Sequence, residues 1–163
     1  MQIIPISSLD IEQYYDFDCG IRELNEYLLK YAKQNHLRNI GKTFVLIDQN
    51  KALGYYTLSS ASIEFEAFDN LESSSLPKYP IPCIRIVRLA VSLEKQNKSF
   101  GSFLLKDAFM KICEVSKTIG FYLIIVDAKN TSKSFYEQFG FKRYSKAKFS
   151  YFIILKTVKE SLK

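Results

Sequence analysis

The chain has 163 residues, 47% of them hydrophobic, and carries a formal net charge of +6 at pH 7. Length and apolar content predict one compact domain over residues 1–163, and six glycines with four prolines exclude a fibrous or disordered chain. The charge favours anionic partners, a phosphorylated cofactor or a nucleic acid, and the longest apolar runs are too short to span a bilayer, so a cytoplasmic protein without membrane contact is expected.

Ile3, Ile4 and Ile6 around Pro5 read as a short edge strand. Asp18-Cys19-Gly20 then opens a helix, with Asp18 as its cap and Ile21, Leu24, Leu28 and Tyr31 on one face. Thr43 to Ile47 and Leu53 to Phe65 are strands joined by the turn Asp48-Gln49-Asn50-Lys51, which makes a hairpin. Glu66 to Pro80 lose periodicity and form a loop. Ile84 to Val91 is a β-branched strand that delivers a polar bend, residues 96–102, to an amphipathic helix carrying Phe103, Leu104, Ala108, Phe109, Ile112 and Cys113. Phe121 to Val126 suits a strand buried on both faces. Thr131 to Phe139 is a helix with Asn130 near its cap and Gly140 at its end, and Lys148 to Lys156 is a final strand. An early hairpin, a central strand–loop–helix and a closing strand–helix–strand predict an α/β fold, a mixed sheet flanked by helices.

The chemistry-bearing residues narrow the field. A strand that hands a glycine-containing bend to a helix start leaves backbone N–H groups without partners, and these suit a phosphate or pyrophosphate. Cys19, Cys83 and Cys113 are odd in number and unevenly spaced, so buried reduced thiols are expected rather than disulfides, and no ligand cluster suggests a metal. His36, the only histidine, lies at a Lys/Arg-rich helix end and reads as a surface or capping residue. With one histidine and no serine in a nucleophile context, a Ser-His-Asp arrangement is unsupported. Glu64 and Glu66 could guide a water or stand as exposed strand-end carboxylates.

The bend resembles the (Gln/Arg)-x-x-Gly-x-(Gly/Ala) acyl-CoA loop of the GNAT N-acetyltransferases, with Gln96, Ser99 and Gly101 at the fixed positions. Arg88-Leu89-Ala90-Val91 looks like that family's fourth strand, and Ser134-Phe135-Tyr136-Glu137-Gln138-Phe139-Gly140-Phe141 looks like its late helix-to-strand signature. Ser99 stands where the family usually has glycine. The resemblance implies a central mixed sheet whose fourth and fifth strands splay apart, here Ile84–Val91 and Phe121–Val126, to admit the pantetheine arm of acetyl-CoA. It assigns cofactor contacts to Leu89, Ala90, Val91, Gln96, Asn97, Lys98, Ser99, Phe100, Gly101, Ser102 and Asn130. Tyr136 stands where the family's general acid stands. A phenol with pKa ~10 is a reasonable proton donor to a departing thiolate whose acid has pKa ~8.5, and an α-amine titrating at ~8 needs no dedicated base. A backbone N–H around Val91 would polarise the acetyl carbonyl.

Phe17-Asp18-Cys19-Gly20 with Leu24-Asn25 and Tyr27-Leu28, and Gly54-Tyr55-Tyr56-Thr57-Leu58-Ser59 with Leu76-Pro77 and Pro80-Ile81-Pro82, resemble the toxin branch of that family. The branch acetylates the α-amino group of aminoacyl-tRNA, dimerises, and is paired with ribbon-helix-helix antitoxins. Lys30, Lys33, Arg38, Lys42, Lys142, Arg143, Lys146 and Lys148 are candidate tRNA contacts, and Lys95 and Lys98 flank the cofactor loop. Two other readings stay open: acetylation of a small amine or protein amino group, and a catalytically weakened acyl-CoA-binding domain.

Overall fold

The structure, a computed structural model, describes residues 1–68, 76, 78–144 and 150–163. Among the described residues seven strands form one mixed sheet in the order β1-β2-β3-β4-β5-β7-β6. They are β1 (Gln2–Pro5), β2 (Lys42–Asp48), β3 (Lys51–Ile63), β4 (Ile81–Val91), β5 (Leu123–Asp127), β6 (Lys142–Arg143) and β7 (Ser150–Ile154). Helices α1 (Arg22–Glu26), α2 (Ala32–Leu37), α3 (Phe100–Val115), α4 (Lys133–Glu137) and α5 (Leu155–Ser161) complete it, with a π-helical turn, Tyr27–Tyr31, between α1 and α2. β4 and β5 pair in parallel, whereas β1 with β2, β2 with β3, β5 with β7 and β6 with β7 are antiparallel. The chain forms two compact units, residues 1–59 with 87–109 and residues 60–86 with 110–163. Among the described residues no helix is long and apolar enough to cross a membrane.

In the first unit the hairpin forms as its turn chemistry requires. Asp48 pairs with Lys51, and the two residues between, Gln49 and Asn50, adopt φ of 46° and 60°. That double left-handed turn matches the twist of the flanking strands. Apolar clusters of the described residues pack the unit. One gathers Phe17, Tyr27, Leu28, Ala32, Val45, Tyr55 and Ala90; another gathers Leu46, Leu53, Tyr56, Val91, Leu104 and Ala108. The Tyr56 hydroxyl donates to Asp107 Oδ2 at 2.5 Å and so ties β3 to α3.

Three expectations are corrected in this unit. Asp18 does not cap a helix: α1 has Ile21 at its N-cap, without a side-chain cap bond. Tyr31 is exposed, and Ala32 is buried in its place. The π turn explains the exchange, because its wider coil needs an extra residue to return the chain to the same face. His36 is buried, and its Nδ1 accepts the Thr43 N–H at 3.0 Å, fastening the end of α2 to the start of β2. Burial, then the charge of Lys42, hold its pKa below the ordinary histidine value.

In the second unit β5 is buried on both faces from Leu123 to Val126, as expected. Its parallel pairing with β4 runs from Cys83↔Leu123 to Ile86↔Val126, and β4 continues beyond the last pair to Val91. An apolar cluster joins Ile63, Ile81, Cys83, Leu123, Ile125 and Phe152. Gly140, at φ +88°, ends the turn after α4, a conformation that favours glycine. The final strand is shorter than expected: Leu155 opens α5, whose Val158 is fully buried, so Leu155 and Lys156 are helical. The expected strand start at Lys148, and Lys146, lie outside the described residues.

Gly54 packs closely against β4 and α3. A Cβ there would lie 2.7 Å from the Ala90 carbonyl oxygen and 2.8 Å from Leu104 Cδ1. Backbone cannot yield as a side-chain tip can, so Gly54→Ala is expected to cost about 1–3 kcal/mol, read as a lower urea midpoint at unchanged m-value.

Candidate active site

The loop ahead of α3 is fixed by its neighbours in the first unit. Gln96 donates from Nε2 to the carbonyls of Cys19 and Val91, both at 2.9 Å. The amide of Leu93 donates to Asp18 O at 2.9 Å, and that of Ser92 to Leu53 O at 2.9 Å. The opening motif thereby acquires a physical role. Asp18 Oδ1 accepts from the Gly20 N–H and from Asn25 Nδ2, each at 2.8 Å, while Asn25 Oδ1 accepts from the Cys19 N–H at 2.9 Å. This Asp–Asn lock aims the carbonyls of residues 18 and 19 at the loop. The sequence signal was the recurrence of Asp18, Cys19 and Asn25 in one motif; its purpose was invisible without Gln96.

Past Gln96 the backbone turns left-handed twice, at Asn97 (φ 57°) and Ser99 (φ 64°). Asparagine tolerates that region better than most residues, whereas serine sits there under strain. The family's usual glycine at position 99 has its explanation here. The amides of Asn97, Lys98, Ser99, Phe100, Gly101 and Ser102 meet no backbone acceptor among the described residues, and Phe103 N–H is the first to bond, to Ser99 O at 3.0 Å. Six donors at the positive end of a 16-residue helix match a pyrophosphate. Ahead of them Leu89 is half-buried while Ala90 and Val91 are buried at the end of β4. Beside Ala90, the Arg88 guanidinium lies 3.6 Å above the Tyr27 ring, a cation–π contact the sequence reading missed.

In the second unit Tyr136 lies in α4, only 5% exposed, edge-on to Phe135 and Phe141 at 5.0 and 5.5 Å. Burial pushes its pKa well above the ordinary tyrosine value, so the phenol keeps its proton at neutral pH. Asn130 begins the 3-10 turn that leads into α4.

The basic candidates divide by environment. Lys33 donates to Leu9 O at 2.6 Å, Lys42 to His36 O at 3.1 Å and Lys98 to Glu94 O at 3.0 Å. Lys30 pairs with Glu26 at 3.6 Å, and Lys95 lies 5.9 Å from the Phe100 ring centroid. Arg38, Lys142 and Arg143 are exposed. Glu64 and Glu66 are exposed, the first at the N-cap of the 3-10 turn Phe65–Ala67 and the second within it.

The acetyltransferase (GNAT) domain model matches residues 39–143. A tRNA-acetylating toxin of Mycobacterium tuberculosis is 31% identical over 134 residues, 82% of this chain and 80% of its own length. The crystal structure of a tyrosine-to-phenylalanine mutant of KacT is 26% identical with a TM-score of 0.86, covering 99% of both chains. AtaT complexed with acetyl-methionyl-tRNAfMet shares the fold at a TM-score of 0.87 and 23% identity, again over 99% of both chains. The chain belongs to the GNAT family of acetyltransferases.

Proposed function

We propose that this protein transfers the acetyl group of acetyl-CoA to the α-amino group of aminoacyl-tRNA and acts as a translation-blocking toxin. The carrying observation is the run of six amides from Asn97 to Ser102, at the head of α3, that meet no backbone acceptor among the described residues. The 31% identity to a tRNA-acetylating toxin supports the choice of substrate. A cytoplasmic homodimer restrained by a ribbon-helix-helix antitoxin belongs to the same reading.

Acetyl-CoA, when bound, supplies an acetyl group activated as a thioester. The amides of residues 97–102 would hold its pyrophosphate, Leu89 to Val91 would line its arm, and an N–H near Val91 would polarise the acetyl carbonyl. The neutral amine attacks that carbonyl carbon, a C–N bond forms and the C–S bond breaks. Tyr136 gives its proton to the departing sulfur and is reprotonated from solvent, which also takes the proton lost by the amine. The phenol carries its proton at neutral pH, as a proton donor must. Arg38, Lys142 and Arg143 offer exposed charge to tRNA phosphates, with Lys30 partly engaged by Glu26.

Incubation with labelled acetyl-CoA and charged tRNA, uncharged tRNA or polyamines tests the proposal. Label on charged tRNA alone supports it; label only on small amines defeats it, and cofactor binding without turnover on any amine indicates a binding domain. Tyr136→Phe is expected to lower kcat about 10²-fold or more with the acetyl-CoA Kd nearly unchanged, measured by steady-state kinetics and calorimetry. Ser99→Gly relieves a left-handed serine, so its acetyl-CoA Kd is expected to equal or fall below that of the parent. A several-fold rise would show that the serine hydroxyl is itself a ligand.

A further inference from the structure

The second unit holds a charged pair that its own packing does not explain. The register sets Arg85 opposite Ile125, one position before the last parallel pair of β4 and β5, and Asp127 is the final residue of β5. Ligands of open α/β sheets gather at the carboxyl ends of parallel strands. There the Arg85 guanidinium lies 3.6 Å from Asp127 Oδ2, beyond hydrogen-bond length, with the two side chains 39% and 59% exposed. Ser150, paired with Asp127 across β5 and β7, donates to Asp127 Oδ1 at 2.8 Å and fixes the carboxylate's orientation. Arg85 Nε is buried and has no acceptor among the described residues.

An ion pair this exposed adds little to stability, and an unmet buried donor subtracts from it. Among the described residues each partner also keeps unused capacity: a guanidinium offers five N–H donors and a carboxylate about four acceptor positions. A cation and an anion thus stand side by side, half open to solvent, next to the apolar cluster of Cys83, Ile125 and Phe152.

Resting on the aminoacyl-tRNA reading above, we propose that Arg85 and Asp127 together recognise the α-aminoacyl ester of the substrate. Asp127 receives an N–H of the α-amino group, and Arg85 donates to the ester carbonyl oxygen. Those two substrate atoms are joined through N–Cα–C=O and lie about 3 Å apart, a spacing commensurate with the protein pair. A lysine ε-amine or a polyamine has no neighbouring carbonyl and engages only the carboxylate. The pair therefore selects α-amino esters over other amines.

The test uses the full chain. Binding and acetylation of an amino-acid methyl ester and of the matching amine lacking the carbonyl are compared in the parent, Arg85→Gln and Asp127→Asn, alongside KM for charged tRNA. Both variants are expected to raise that KM about 10-fold or more with the acetyl-CoA Kd within two-fold. Arg85→Gln is also expected to abolish the preference for ester over amine. Asp127→Asn is isosteric and still accepts from Ser150, so it decides the matter if Arg85→Gln misfolds. Parent-like KM together with parent-like ester preference in a folded variant overturns the proposal. A parent that acetylates no charged tRNA defeats the proposed function instead, and ester-over-amine binding by the parent, lost in the variants, still upholds the pair.

Discussion

One carboxamide organises the first unit's loop ahead of α3. Gln96 spans the carbonyls of Cys19 and Val91, joining three segments distant in sequence: the opening motif, the end of the central strand and the bend before α3. Left-handed residues other than glycine persist only where their surroundings over-determine them. Asn97 and Ser99 are held in that way, by Gln96 before them and by α3 after. The result is a set of amides aligned before any ligand arrives, which spares a phosphate the entropy of ordering them. The Asp18–Asn25 lock fixes the far end of the same span.

The chain's positive charge reads differently once its partners are seen. Three lysines, at positions 33, 42 and 98, point their ammonium groups at backbone carbonyls, and Lys30 leans on Glu26. Such lysines brace loops and helix ends as well as carrying charge. Formal charge of +6 therefore overstates the cation available to a polyanion, and Arg38 and Lys142 present their charge more freely than their neighbours.

What could be read in advance followed physical periods. The hairpin was legible because Gln49-Asn50 lies between two β-rich runs, and β5 because four apolar residues in succession suit burial on both faces. The amphipathic spacing of Leu104, Ala108 and Ile112 gave α3, and the bend before it pointed to an anion. Asp18 was misread because a short carboxylate can bond either a helix start or its own turn, and only tertiary context decides. His36 was misplaced because charged neighbours in sequence say nothing of a histidine whose ring turns inward toward Thr43. The Arg88–Tyr27 stack and the Arg85–Asp127 pair join residues 61 and 42 positions apart, respectively, and no local pattern encodes them.

The π turn at Tyr27–Tyr31 amounts to a one-residue insertion absorbed within a helical run. Excising a single residue from it would restore ordinary winding but rotate everything downstream by roughly 100°. Ala32 and His36 would swing away from the interior, and the imidazole would lose its grip on Thr43. The widened coil is thus a phase adjustment: it lets one continuous rod satisfy the Tyr27–Leu28 contacts at one end and the β2 contacts at the other.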